Sequence, residues 1–330
     1  MRVGVVVVTY NAQKVIARCL ESVIASRGVQ LNIVVVDNAS TDGTLAEVRR
    51  WAAERAAGPL VLRESSAPLA GLDDGEVGLV ASPENLGFAG GVNLGLRSCL
   101  AMDMDAVWIL NPDCVAEPDT AAILVARASA EPQFGLIGGR VFYDEPELMI
   151  QSDGGSVSLW TGTCKIFNLG RVGRDVPAPA AATLDYISGA HMFVSRRYLK
   201  EVGLMPEAYF LYYEEVEWCL RRGALPLIFC AEAAVHHMAG HSVGSASLQR
   251  GPSRLSAYFM ARSRLRFVAR LRPLATPVAF AYCVGKAAQQ MRRGRWAAGR
   301  AMLRAAMGLG PDRAMLKIIG RAGLPAGIRD

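Results

Sequence analysis

The chain has 330 residues, 52% of them hydrophobic and 20% charged, a composition that excludes a disordered or fibrous protein and supplies a sizeable core. Its net charge of +6 hides an asymmetry: from Arg254 onward there are 16 Lys+Arg against 2 acids, a net of +14, so residues 1–253 carry −8. An acidic body with a basic tail implies two parts with different partners.

Met1-Arg2-Val3-Gly4 runs directly into a strand pattern, which predicts no signal peptide. Val3–Val8 is a β-branched run of the kind buried on both faces of a sheet. Residues 14–25 have helical spacing, Ile33–Val36 is a second buried strand, and a helix to about residue 57 follows with Ser40 or Thr41 as N-cap. Residues 63–76, with Pro68, Gly71 and Gly75, predict a surface loop, and Val77–Ala81 a short strand. A glycine-rich turn then opens a helix over 87–100, Val107–Leu110 is another buried strand, and Pro118 introduces a helix over 119–130. Repeated βα units predict an α/β fold with an open, mostly parallel sheet. Leu136–Tyr143 and Pro226–Val235 are strand-like, residues 171–182 form a Pro/Ala loop, and beyond about 250 the pattern is helical and basic.

Seven scattered cysteines with no CxxC pair argue against a disulfide framework or structural zinc and predict reduced thiols in a cytosolic setting. The longest apolar run, Pro273–Gly285, is too short to span a bilayer, so no transmembrane helix is expected.

In an open parallel sheet, ligands bind beyond the carboxyl ends of the strands. Polar clusters fall at those ends: Thr9-Tyr10-Asn11, then Asp37-Asn38-Ala39-Ser40, then Asn85 to Asn93 with Gly87 and Gly90, then Asn111-Pro112-Asp113. Asp37 can accept a hydrogen bond from a nucleobase imide. The glycines permit close approach of backbone to phosphate. Asp113 can hold a divalent cation against a diphosphate. Each cluster alone is also ordinary turn chemistry; four together are harder to explain that way.

VVVVTYN (Val5–Asn11), VVVDNASTDGT (Val34–Thr44), NLGFAGGVNLG (Asn85–Gly95) and LNPDC (Leu110–Cys114) resemble, in the right order, the motifs of family 2 glycosyltransferases, and most of all the bacterial rhamnosyltransferase-like branch. The resemblance covers roughly residues 1–245. It implies a GT-A fold with a nucleotide-sugar half (about 1–115) and an acceptor half (about 116–245), followed by a basic amphipathic helical region over 246–330. It also implies inverting transfer from a nucleoside-diphosphate sugar, such as dTDP-rhamnose, to a hydroxyl of a cell-envelope glycan or lipid-linked acceptor, with Mg²⁺ or Mn²⁺ as cofactor. The family's Asp-x-Asp metal motif stands here as Asn111-Pro112-Asp113, with one carboxylate. A catalytically silent nucleotide-sugar-binding scaffold is the alternative. A dinucleotide-binding dehydrogenase is disfavoured, since Thr9-Tyr10-Asn11 stands where G-x-G-x-x-G would follow the first strand.

Glu214, Glu215 and Glu217 fall within four residues, so mutual repulsion favours a raised pKa suited to a general base. On a helix, Glu214 and Glu217 share a face, either can pair with Arg221, and Glu215 points elsewhere. The stretch resembles the family's Glu-Asp-x-Asp motif, which assigns the base to Glu215, with Glu214 as the second choice. Gly189, Ala190, Glu217 and Trp218 are expected around the acceptor. His236, His237 and His241 cluster near Gly240 and Ser242. By resemblance His237 joins Asp113 at the metal, and a purely structural turn is the other reading.

In the tail, Leu255, Tyr258, Phe259, Arg262, Arg266 and Arg270 show helical spacing, and Trp296 sits among further arginines. The pattern fits a helix lying in an anionic membrane interface, peripheral on the inner face of the cytoplasmic membrane. A homodimer interface is a second reading. Nucleic acid is disfavoured for want of a recognition motif.

Overall fold

A computed structural model describes residues 1–55, 58, 60–73, 76–238 and 251–319. The elements are, in order, β1 Val3–Thr9, α1 Ile16–Ile24, β2 Leu31–Asp37, α2 Thr44–Ala53, β3 Val61–Ser65, β4 Glu76–Ala81, α3 Gly87–Ala101, β5 Ala106–Leu110, β6 Cys114–Ala116 and α4 Thr120–Ala130. Then come β7 Leu136–Tyr143, β8 Ile150–Ser152, β9 Gly155–Val157, β10 Cys164–Ile166, β11 His191–Ser195, α5 Arg196–Glu201, α6 Glu214–Leu220 and β12 Leu227–His237. Four helices close the described chain: α7 Arg254–Leu271, α8 Thr276–Arg292, α9 Trp296–Ala306 and α10 Arg313–Ile319.

One large sheet runs β3-β4-β2-β1-β5-β11-β7-β12-β6, with β8 on β7. Strand period explains its two-sided core. Val6 and Val8 pack with Val92 and Leu96 of α3, while Val5 and Val7 pack with Ile16 and Leu20 of α1 and Val48 and Trp51 of α2. The glycines of α3 serve this layer. A Cβ at Gly95 would lie 2.4 Å from Val6 and one at Gly91 2.6 Å from Val8, so only glycine lets the helix sit this close.

The sheet is mostly parallel, as expected, but β11 runs antiparallel between β5 and β7, and β6 antiparallel to β12. Part of the segment expected as loop is strand: β3 pairs parallel with β4 at the sheet edge. Its exposed charged side chains hid it from a hydrophobic pattern. The N-cap of α2 is Gly43, not Ser40 or Thr41, and Asp42 accepts from the Thr44 N–H instead. All seven cysteines are free. Among the described residues no helix is long and apolar enough to cross a membrane.

The tail packs on the body rather than standing apart. Leu255, Tyr258 and Phe259, the expected lipid-facing residues, are buried with Phe210 of the body. The α7 arginines also turn inward. Arg264 donates to the Tyr213 hydroxyl, Arg266 to the Ala208 carbonyl and Arg270 to Glu217. The amphipathic pattern of α7 is therefore a docking face for the acidic body.

Arg140 on β7 is 1% exposed and forks onto the wholly buried Asp153 at 2.9 and 2.7 Å. Its remaining donors bind the carbonyls of Arg174 and Val176, so it ties the Pro/Ala loop to the sheet. Arg140→Met strands a buried carboxylate and is expected to lower unfolding free energy by about 3–5 kcal/mol in urea titrations.

Candidate active site

Strand direction brings the polar clusters together. β1, β2, β4 and β5 are parallel neighbours, so their carboxyl ends share one edge. β11 opposes β5 with His191 across from Leu110, which delivers Gly189 and Ala190 to that edge from the other direction. β12 ends there too, and its register sets His237 across from Cys114, beside Asp113.

At the ends of β1 and β2, Thr9 and Asp37 are buried. The Thr9 hydroxyl donates to Asp37 Oδ1 at 2.9 Å, and the Ser40 amide to Oδ2 at 3.0 Å. Asn11, at φ 53°, accepts from the Thr41 amide at 2.8 Å and fixes this loop. Tyr10 meets the tail: its hydroxyl donates to the Ile318 carbonyl of α10.

Several expected ligand residues instead hold the frame. Asn38 donates to Asn85 Oδ1 and to the Gly87 carbonyl, and accepts from the Leu86 amide. Asn93 is buried, bonded to both backbone groups of Met205 and to Glu207. Gly87 takes φ 74°, and a Cβ there would stand 2.4 Å from the Phe210 carbonyl oxygen. The crowding at Gly90 is against Leu86. Both glycines are required by close protein packing.

The acidic stretch divides in three. Tyr212 and Tyr213 both take left-handed backbone conformations, φ 69° and 73°, before α6 starts at Glu214. Such strain persists only where surroundings impose it. Tyr212 bonds Ser256 at 2.8 Å, and Tyr213 donates to the Gly162 carbonyl while accepting from Arg264 at 2.9 Å. Glu214 is buried, and its Oε2 has no hydrogen-bond partner. Burial first, then the Glu215 charge, holds its carboxyl well above the ordinary value, so it stands as a neutral acid. Half-buried Glu215 lies against Gly189, where a Cβ would be 3.5 Å from its own, and burial pushes its carboxyl up to about 7.

Glu217 and Trp218 are not at an acceptor surface. Trp218 is wholly buried, donating to the Gly203 carbonyl. Glu217 is 1% exposed; burial alone would raise its carboxyl, but Arg270, Tyr209 and Arg221 hold it below the usual range. The Arg221 pairing anticipated from spacing is present. The second clamp, Arg270 at 3.1 Å from α7, carried no sequence signal because it lies 53 residues away.

At the far side, the histidines part company. His191 accepts from Trp108 at 2.8 Å and donates toward the Ala233 carbonyl, with burial pulling it down to about 4. His236 stacks on Phe142 and bonds Glu117. His241, Gly240 and Ser242 lie outside the described residues. His237 has Nδ1 2.6 Å from Gln151 Oε1 and Nε2 3.0 Å from Asp113 Oδ1. Asp113 accepts from the ring at Nε2, and the Gln151 amide, which can offer either its oxygen or its NH2 group, holds the ring at Nδ1. Ligand atoms of Asp113, Cys114 and His237 lie within 4.8 Å of one another. Burial first, then the Asp113 charge, keeps the Cys114 thiol protonated, leaving carboxylate and imidazole as the ready donors. At the same turn, Asn111 Oδ1 is buried with no partner, an oxygen free to face a cation or its water. Gln151, which orients His237, belongs to no motif and could not have been picked from the sequence.

The fold places the chain first. It has the GT-A architecture, aligning with a mannosyltransferase of Pyrobaculum calidifontis in complex with GDP-Man and Mn²⁺ (TM-score 0.51, 20% identity, 93% of this chain and 86% of the other). It also aligns with GalNAc-T7 with UDP, GalNAc and Mn²⁺ (TM-score 0.53, 15% identity, 80% and 51%). Residues 4–151 match the model of glycosyl transferase family 2. A low-salt glycan biosynthesis hexosyltransferase of Haloferax volcanii is 24% identical over 66% of this chain, which spans 60% of the relative's length. An N-acetylglucosaminyl-diphospho-decaprenol L-rhamnosyltransferase of Mycobacterium tuberculosis is 25% identical over 73% of this chain and 77% of its own.

Arg270→Ala leaves the buried Glu217 with one guanidinium instead of two. It is expected to lower stability by about 2 kcal/mol in urea unfolding, with Arg270→Lys recovering part of the loss.

Proposed function

We propose that the chain is an inverting glycosyltransferase, with Glu215 as base, that moves a sugar from a nucleoside-diphosphate donor to a hydroxyl of a lipid-linked cell-envelope acceptor at the inner face of the cytoplasmic membrane. The observation that carries this is Glu215 itself: a carboxyl raised to about 7, beside a residue without a side chain, on the edge that also carries Asp37 and Asp113. The rhamnosyltransferase relative supports a rhamnosyl donor, dTDP-rhamnose by the motif resemblance, and a polyprenyl-diphosphate glycan as acceptor.

In this reading Thr9 and Ser40 hold the Asp37 carboxylate in place for the nucleobase, with Tyr10 and Asn11 at the end of the same strand. Asp113 and His237, with Asn111 close by in sequence, fit Mg²⁺ or Mn²⁺, since hard oxygen and imidazole donors suit both. When bound, the ion supplies neutralising charge to the leaving diphosphate. Gly189 and Ala190 leave room for the acceptor. Glu215 takes the proton from the acceptor hydroxyl as its oxygen bonds to the anomeric carbon. The bond from that carbon to the diphosphate breaks, and the electron pair leaves with the nucleoside diphosphate. Glu214, already protonated, adds no second negative charge beside the base.

Thermal shift across nucleotide sugars with Mn²⁺ identifies the donor, because a ligand bound only by the native state raises its melting temperature. With that donor, Glu215→Gln is expected to lower turnover by about 10²–10⁴-fold while keeping the thermal shift. Near-normal turnover rejects the assignment. A base works deprotonated, so wild-type kcat/KM is expected to rise with pH through about 7 and level off above it. Asp113→Asn or EDTA is expected to abolish the metal-dependent part of the donor shift; full activity in EDTA rejects the metal.

A further inference from the structure

We propose that the exposed face of α8 rests on an anionic lipid bilayer. The buried side of α8 is narrow, formed by Ala279, Cys283, Ala287 and Gln290. The exposed side of α8 carries Pro277, Val278, Phe280, Ala281, Val284, Gly285 and Ala288, with Lys286 half-buried at its edge. No exposed residue of the helix is charged before Arg292. Val278 is 45% exposed, Phe280 42%, and Leu274, on the turn leading into the helix, 92%. A helix that is apolar on its solvent side needs something to cover it.

The ends of the face identify the cover. At the start, Arg272 stacks 3.9 Å from the ring of Trp160, a half-exposed residue on the β9–β10 hairpin. At the finish stand exposed Arg292, Arg293 and Arg295 with exposed Trp296. An apolar stripe about 25 Å long, bracketed at each end by Trp and Arg, matches a helix lying in a headgroup layer: aliphatic groups enter the acyl boundary, indoles and guanidiniums stay at its rim. Charge decides between lipid and a second copy. From Ala233 to Pro311 the sequence has no Asp or Glu. A two-fold dimer through this face would oppose arginines to arginines without a carboxylate between them, whereas an anionic leaflet attracts every one. This surface differs from α7, whose apolar residues are buried. It rests on the membrane-linked acceptor proposed above only for its purpose: the β9–β10 hairpin accepts a bond from Tyr213, so the face adjoins the segment that carries Glu215.

Flotation of the full chain with vesicles of equal parts phosphatidylcholine and phosphatidylglycerol tests the proposal. The wild-type chain is expected to float with these vesicles and to stay behind with phosphatidylcholine alone. Leu274→Glu/Val284→Glu is expected to cut the floated fraction about tenfold with unchanged thermal unfolding, since both side chains already face solvent. Should the double variant misfold, Ala281→Glu on the same face gives the same readout. A wild-type chain that does not float overturns the proposal, as does a folded variant that floats equally well. A dimer that the variant dissociates, without vesicle binding, assigns the face to a second copy. Flotation needs no turnover: a chain that floats but transfers no sugar overturns the proposed activity and leaves this surface standing.

Discussion

The structure turns on a buried carboxylate, Glu217. It accepts bonds from Arg221 of its own helix, Tyr209 just before it, and Arg270 of α7. A lone charge at that depth would be untenable; two guanidiniums and a phenol make it an anchor. Through it the basic tail and the acidic body become one folded unit. With Arg264 on Tyr213, it fixes the first turn of α6 from both sides, and that turn holds Glu214 and Glu215.

The same helix start shows how environment assigns different roles to like residues. Glu214 has burial and the Glu215 charge beside it with no cation in reach among the described residues, which together hold its carboxyl well above the ordinary value. Glu215 has burial with an open side, so its proton is exchangeable near neutrality. Glu217 has burial with cations, so it stays charged. Sequence spacing could say that the three repel one another, but not which of them would meet an arginine.

Much of the fold was legible. The β-branched runs of β1, β2 and β5 and the helical spacing of α1 and α3 lie where the patterns put them, because burial on both faces leaves no polar alternation to confuse. β3 was missed because an edge strand shows charges on its exposed side chains. The strand-end clusters do meet at one edge of the sheet, as neighbouring parallel strands require. Asn38, Asn93, Gly87 and Gly90 have the residue types that bind phosphate and the same types that close tight packing, and only geometry separates the two uses. The tail misled for a related reason. An amphipathic helix with arginines looks the same in sequence whether its partner is lipid or an acidic protein surface, and α7 has the protein. The run Pro273–Gly285, much of it in α8, is too short to span a membrane, but length alone does not tell which side of a helix is exposed.

β11 has a mechanical consequence. Running between β5 and β7, it stitches the two halves into one hydrogen-bonded sheet. Two lobes joined by a linker can clamp around a substrate; two halves of one sheet cannot, since opening them would break a ladder in the core. In the proposed reaction, entry and exit of donor and acceptor would then fall to the loops beyond the strand ends, with the sheet as a stationary bench. Differences in substrate choice between chains of this build would be written in those loops, and grafting a rim segment would transfer preference without disturbing the platform beneath.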